Sequence, residues 1–419
     1  DLHSFPTRRS SDLPTAVTQA TGMTALSSPG NGGLSFSSRG FTGVNSVGVA
    51  EDGIRVQTAA GTQNYPDGAW GYERIDVIRG PASVVFGTGT VGATVNAIRK
   101  EPSRTSSHEI MASIGMHGSK KIGIGSTGAL NEIATYRIDA YGFKSDGYVD
   151  LGKSKGGKFM SKFRLQPSST FRLDFTADYS KAYPPPYFGS PYDNNKKIVE
   201  SLRKRNYISD DTTVRHEDTR LKAKAEWQAL DWLTISDEVY HLIVDRHWRY
   251  VGGHKLDQAN DTITRSSYLQ IYHDLKQTGN RLEGRANLGK HKLVVGWEMA
   301  HINFQHTNNS PYRGSSVISA TNPIFGKWHS PDPVLPKFTT TTKTNALYIE
   351  DAWKWNDHWL LLAGLRRDFL SFSRRELQTG VVFSSNLTGT SGRLGLTYHL
   401  IPNTVGRSEE RRVGKECRS

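Results

Sequence analysis

Thiols are almost missing from this 419-residue chain, whose single cysteine, Cys417, lies at the extreme C-terminus. One thiol builds no disulfide framework, no CxxC metal site and no Cys–His nucleophile pair. Long apolar runs are missing too. Trp359 to Leu365 is among the best, far short of the roughly 18 residues that a spanning helix needs, and mean hydropathy is −0.54. No HExxH motif occurs, and His241, His247, His254, His301 and His306 follow no recurring ligand spacing, so neither zinc hydrolysis nor another catalytic constellation has a basis and no enzyme is expected. Acidic residues are outnumbered, giving a net charge of +13. That balance suits nucleic acid, an anionic membrane surface or acidic ligands, and alone does not choose among them.

The two ends read as foreign. Back-translated with suitable codons, His3 to Leu13 is the complement of a strand that translates as Arg407 to Glu416. Two tails encoded by opposite strands of one oligonucleotide point to an adapter read through in frame, so residues 1–13 and 407–419 are expected to be non-native and are set apart from fold reasoning. Arg407, Arg411, Arg412, Lys415 and Arg418 exceed Glu409, Glu410 and Glu416 by two, so +13 becomes +11 without them, and the only cysteine disappears.

What is abundant is alternation. Phe171, Leu173, Phe175, Ala177 and Tyr179 interleave with Arg172, Asp174, Thr176, Asp178 and Ser180, an apolar face against a polar one at period two. Tyr136, Ile138 and Ala140 alternate with Arg137 and Asp139, and Leu221, Ala223, Ala225 and Trp227 alternate with Lys222, Lys224, Glu226 and Gln228. About thirteen such segments are expected, at 107–116, 120–130, 133–144, 156–166, 169–182, 215–229, 231–247, 261–275, 278–288, 291–305, 340–355, 357–372 and 390–401. A strand that meets lipid on alternate residues only keeps a low mean hydropathy, so a transmembrane barrel escapes the helix test. Tight turns at Gly118-Ser119 and Asn356-Asp357 contrast with long loops from Tyr183 to Val214 and Thr307 to Phe338, which suggests short turns on one side and long loops on the other. Composition alone leaves a soluble β-sandwich or propeller equally open.

The residues before Ser107 separate these. Ser38-Arg39-Gly40-Phe41 and Glu51-Asp52-Gly53-Ile54 precede a long run containing Arg74-Ile75-Asp76, Ile78-Arg79-Gly80-Pro81, Ser83, Gly87, Gly89, Gly92 and Asn96. This pattern resembles the plug of TonB-dependent receptors, and Ala346 to Asp351 with Gly364 to Asp368 resembles a hairpin of the siderophore-receptor branch. The resemblance covers nearly all of residues 20–406. Gly87, Gly89 and Gly92 also satisfy GxGxxG, but no βαβ unit surrounds them. Strand-like Ala93 to Arg99 comes next in place of a helix, so these glycines are expected to serve tight turns and close backbone packing.

The resemblance implies an all-β transmembrane barrel of about 22 strands when complete, about thirteen of them here, with an N-terminal α/β plug in the lumen. The plug would occupy 14–102, truncated at its start, and the barrel 103–406, truncated at its end, in the bacterial outer membrane. It implies TonB-dependent uptake of ferric siderophores, with TonB and its inner-membrane energising complex as partner and the TonB-contacting segment absent. Iron would travel inside the chelate, without a resident cofactor or metal site. Haem, cobalamin or glycan import, a passive barrel, and a soluble DNA-binding β protein with steep salt dependence are the competing functions. Arg39 and Arg79 are expected to tie plug to wall by reversible bidentate pairs. Ligand contacts are expected from Tyr65 and Trp70 at the plug apex and from Tyr183, Tyr187 and Phe188 in the first long loop, where Lys196, Lys197, Arg203, Lys204 and Arg205 add positive charge. Outer-membrane lipid and lipopolysaccharide are further expected partners; nucleic acid is not.

Overall fold

The computed structural model describes residues 2–6, 13–28, 33–42, 46–55, 68–80, 83–87, 90, 92–310, 312–401 and 404–413. Two bodies are built from two kinds of sequence. The N-terminal one contains β1 (Leu2–Pro6), α1 (Leu13–Thr18), β2 (Met23–Ser28), β3 (Gly33–Ser38), β4 (Val47–Glu51), β5 (Ile54–Arg55), β6 (Tyr72–Arg79), α2 (Ser83–Phe86) and β7 (Ala93–Arg99). Its main sheet runs β1-β6-β7-β4-β5, and β4 lies parallel to β7 while the other pairs are antiparallel. Val17, Val49, Ile75, Val77 and Val95 fill its core. The GxGxxG stretch joins α2 to β7, the reverse of the strand-to-helix order a dinucleotide site requires.

The second body is one antiparallel meander of β8 (Ser107–Ile114), β9 (Lys120–Ala129), β10 (Ala134–Ser145), β11 (Ser154–Leu165), β12 (Phe171–Tyr183), β13 (Thr213–Leu230), β14 (Leu233–Asp257), β15 (Thr262–Leu288), β16 (His291–Thr307), β17 (Ser316–Ser319), β18 (Pro336–Lys354), β19 (Trp359–Glu376), β20 (Val382–Ile401) and β21 (Thr404–Val413). Each strand pairs with its neighbour in sequence, except that β17 adds to the outer part of β15 and β16 pairs directly with β18. The two faces invert the soluble pattern. Ile124, Phe159, Phe175, Leu221, Val239, Leu347 and Leu365 project outward and are exposed, whereas Asp174, Asp178, Arg220, Lys222, Glu238 and Arg366 are buried on the other face. A wall apolar outside and charged inside is a barrel in lipid.

Two sequence expectations need correction. The segments expected at 261–275 and 278–288 are one strand, because Gln277 pairs with Leu242 on one side and Ile302 on the other, and its polar side chain turns inward to donate to the Arg55 carbonyl at 3.1 Å. The Gly118-Ser119 turn belongs to the same end as the long loops. Strand directions alternate, and the Asp146 amide donates to the His117 carbonyl while His117 meets Tyr148, whose ring contacts Tyr187 in the first long loop. Asn356-Asp357 lies at the opposite end. Long loops mark the extracellular side of this architecture.

β14 and β15, of 25 and 27 residues, run on the order of 80–90 Å at ~3.3 Å per residue, well past an apolar band of ~25 Å. Their outer halves carry a cap. Val251, Tyr268 and Tyr312 cluster with Trp328, while Leu202, Tyr207, Ile263 and Ala320 form a second cluster, and the Asp210 amide bonds the Gly326 carbonyl, fastening one long loop to the other.

Candidate functional site: the plug seal and the vestibule above it

The seal begins at a two-residue turn. Asp52 and Gly53 adopt φ of 49° and 83° between β4 and β5, a left-handed pair that glycine accepts without strain. Asn96 Oδ1 accepts the Gly53 amide at 3.0 Å and Asp52 Oδ1 accepts the Arg99 amide at 3.1 Å, which fixes the turn against β7. The turn therefore presents Glu51, Asp52 and Arg99 together to the wall.

There they meet complementary charges. Arg220 reaches Glu51 at 2.7 Å, and Lys222 reaches Asp52 at 3.1 Å and Glu51 at 3.4 Å. Arg99 spans Glu51 at 3.2 Å and both oxygens of Asp178, the Nη2–Oδ1 bond at 2.8 Å. The Tyr72 hydroxyl donates to Glu51 at 2.7 Å. Arg220, Lys222, Arg99 and Glu51 are nearly sealed from solvent, Arg99 at 3% and Glu51 at 5% exposure. Burial would raise the Glu51 carboxyl, yet Arg220, Lys222 and Arg99 hold it well below the usual carboxylate range. Arg281 donates to the Gly53 carbonyl at 2.9 Å and Lys158 to the Gly68 carbonyl at 3.0 Å, so wall cations also grip plug backbone.

These contacts were not anticipated from sequence, although Glu51-Asp52-Gly53 stood out as a motif and Lys222 as a polar-phase residue. Arg39 and Arg79, expected to touch the wall, sit beside each other. Arg79 donates to the Thr21 carbonyl inside the plug at 3.0 Å, and burial together with Arg39 pushes its guanidinium down from its ordinary value. Gly40, Gly80 and Gly87 have φ between 78° and 85°, and a side chain at Gly87 would press on the wall's Arg366 at 3.3 Å. Gly92 packs where a Cβ would meet Phe41 at 2.8 Å. Tyr65, Pro81 and Gly89 lie outside the described residues.

Among the described residues, the expected ligand aromatics do not converge. Trp70 docks on the wall, its Nε1 donating to the Ile124 carbonyl at 3.1 Å with the Lys100 ammonium 4.4 Å above its ring. Tyr183 shares the phase of Phe175 and Tyr179, so period two places it on the outer face rather than in the lumen. Tyr187 bonds Ser190 at 2.9 Å and Phe188 packs 4.2 Å from Tyr250, both within the loop cap.

A different set faces the lumen. His216, Arg246, His273, His306, Phe338 and Glu376 are direct cross-strand partners over six strands, β13 to β19. They share the inward phase of Arg220 and Gln277, both of which touch the plug, and stand four residues nearer the loops, roughly 13 Å at ~3.3 Å per residue. His273 and His306 are 2.8 Å apart, His306 stacks on Phe338 at 4.8 Å, and Arg374 lies 3.6 Å from the Phe338 centroid. Trp248 meets His273 edge-on at 4.8 Å. The result is an aromatic band above a sealed plug, its guanidinium groups paired within the wall, Arg246 with Asp218 and Arg374 with Glu376. Its signal in sequence was the inward phase of each strand, but only strand register brings the six together.

Comparison with known proteins agrees with this architecture. The family description "TonB dependent receptor-like, beta-barrel" matches residues 160–408, and "TonB-dependent Receptor Plug Domain" matches residues 4–94. The ferrioxamine receptor of Yersinia enterocolitica is 23% identical over 397 residues, covering 89% of this chain and 50% of that protein. The metal-pseudopaline receptor CntO of Pseudomonas aeruginosa is 22% identical, covering 74% and 44%. Among solved structures, the siderophore receptor PiuA of Acinetobacter baumannii superposes with a TM-score of 0.81 at 17% identity, over 96% of this chain and 62% of that one. The ferripyoverdine receptor of Pseudomonas aeruginosa gives 0.82 at 15%, over 96% and 55%. The chain thus spans about half the length of the curated relatives it matches. With both domains matched in the order the fold displays, the chain belongs to the TonB-dependent receptor family of outer-membrane barrels.

Proposed function

We propose that the protein carrying this chain imports ferric siderophores across the bacterial outer membrane, energised by TonB and its inner-membrane complex through displacement of the plug. The observation that carries this reading is the band from His216 to Glu376 above a plug held by buried ion pairs. A chelate brings its own iron ligands. Flat rings and guanidinium groups therefore suffice to hold it, with no resident cofactor and no catalysis. A knot of charged hydrogen bonds is strong while dry and weakens once water enters, which suits a seal opened by force. The relatives named for ferrioxamine, metal-pseudopaline and ferripyoverdine support the siderophore branch over haem, cobalamin or glycan. Lipid and lipopolysaccharide surround the wall. The plug is assigned to 14–102 and the barrel to 103–406. The tails 1–13 and 407–419 are assigned to an adapter, an origin refuted if independent reads of the locus continue both into a longer gene.

The direct experiment is uptake of radiolabelled ferric ferrioxamine, ferric catecholate and haem by a deletion strain complemented with the complete gene, with and without TonB. Siderophore uptake that requires both the gene and TonB is expected. Unchanged siderophore uptake on deletion, or loss of haem uptake alone, overturns the reading.

A further inference from the structure

Above the apolar belt, the outer face of the wall carries charge at the loop end of β9 to β14, and it does so in two ways. On β12 to β14 the charges cancel: Lys181 pairs with Glu217 at 2.9 Å and Arg215 with Asp245 at 2.5 Å, and the Tyr179 hydroxyl also serves Glu217. On β9 to β11 they do not. Lys144 lies directly opposite Lys120 on one side and Lys155 on the other, so three ammonium groups form one transverse row. Side chains directly opposite each other start only ~4.5–5.5 Å apart at Cβ, and like charges there are destabilising. Among the described residues none of the three makes an ion pair, and Asp146, in the turn beyond Lys144, joins none of them. Lys155 alone has a neighbour of use, the Tyr183 ring at 5.4 Å.

Directly below this row the wall is bare. Gly142 and Gly157 are cross-strand partners, flanked in register by Ile122 and Lys181. They floor an outward concavity of about 550 Å³ whose rim is the lysine row. The next row down, Ile124, Ala140, Phe159 and Tyr179, is the upper edge of the belt. Cations above, a side-chain-free notch between, and an apolar surface beneath match a phosphorylated sugar headgroup whose acyl chains lie along the wall.

We infer that this notch binds a phosphorylated glycolipid of the outer leaflet, the phosphates bridging Lys120, Lys144 and Lys155. The inference rests on the outer-membrane placement of the barrel. Its occupant is anionic because an uncompensated row of three cations is relieved only by anions. It is a lipid because the rim sits on the lipid-facing side, where Ile122 and Ile124 are about half exposed. Anionic charge at a membrane surface is drawn to each lysine about fivefold, so the row together commands about a hundredfold.

The test is native mass spectrometry of the complete receptor, purified from outer membranes and exchanged into nanodiscs containing bisphosphorylated lipid A, dephosphorylated lipid A or phosphatidylglycerol. Wild type should retain bisphosphorylated lipid A through delipidation and release the other two. The triple variant Lys120→Gln/Lys144→Gln/Lys155→Gln should retain about a hundredfold less and Lys144→Gln about fivefold less, whereas Lys290→Gln, in a turn at the opposite end, should match wild type. Excess inorganic phosphate should compete only weakly, lacking the apolar contacts. Equal retention by wild type and the single and triple variants, equal retention of dephosphorylated lipid A, or equal retention of phosphatidylglycerol overturns the proposal. Failure of the underlying placement would show separately, as absence of the protein from the outer-membrane fraction.

Discussion

Two bands on the inner wall, roughly 13 Å apart by strand rise, use the same phase of the same strands in opposite ways. At the lower band, Arg220 and Lys222 on β13 are consumed by Glu51 and Asp52 of the plug. At the upper band, His273, His306 and Phe338 contact each other and the wall residues Trp248 and Arg374. The lower band is saturated by a partner within the same chain, whereas the ring contacts described at the upper one, among the described residues, run from wall to wall. A gated importer needs this division: one level must be closed by contacts that can be broken, and the level above must keep surface for cargo.

Glu51→Ala should break the comparison most severely. It leaves Arg99, Arg220 and Lys222 crowded without their shared carboxylate, and removing one partner from a buried ion pair costs about 3–5 kcal/mol. The plug should become protease-sensitive and the outer membrane permeable to large antibiotics, while ligand affinity at the upper band changes little. A plug as resistant as wild type would show that the knot does not hold the seal. Acid should act at the same place. The Glu51 carboxyl is depressed in the folded state, so its contribution is complete above the unfolded glutamate value of ~4.3 and is lost as pH falls through the lower folded value. Single-channel conductance should therefore stay closed through mildly acidic pH and open only below that range; opening near pH 6 would assign the seal to other groups.

Much of this is legible in the sequence itself. Period two along Phe171 to Ser180 identified a two-faced strand, and that strand is β12 with Phe175 outside and Asp174 inside. The run from Arg74 to Asn96 announced the plug. What sequence could not supply is pairing across distance: Arg220 looks like any wet-face cation until the fold brings it to Glu51, 169 residues away. The same limit split β15 at Gln277, where the outward neighbours Lys276 and Thr278 are polar and exposed, so the apolar face lapses although the strand and its pairing continue. Aromatic content misled for a related reason. Tyr183 and Trp70 are flat and polar-tipped, as a ligand site wants, but their surroundings are decided by strand phase and by wall contact.

The upper band can be sharpened by Phe338→Ala. Phe338 joins His306 to Arg374 through its two faces, and loss of such ring contacts is worth about 0.5–1.5 kcal/mol, up to roughly tenfold in affinity. Ferric siderophore Kd, measured by quenching of tryptophan fluorescence, should rise by that factor while protease resistance of the plug is unchanged. An unchanged Kd would move the cargo site into the loop cap.

Arg79→Ala should have the smallest effect of the series. The guanidinium is only partly buried, stands next to Arg39 and donates to the Thr21 carbonyl within the plug, so its loss removes a hydrogen bond worth about 1 kcal/mol and relieves a like-charge neighbour. Transport should fall modestly with ligand binding intact. If instead Arg79→Ala opens the barrel as Glu51→Ala does, the seal extends beyond the Glu51 knot and the wall contacts of β11 to β15, and the Arg39–Arg79 pair must be gripped by wall other than the strands that hold Glu51. Measuring both variants in one conductance assay separates the two arrangements, because a local seal predicts additive leak and a distributed seal predicts that either substitution alone releases the whole plug.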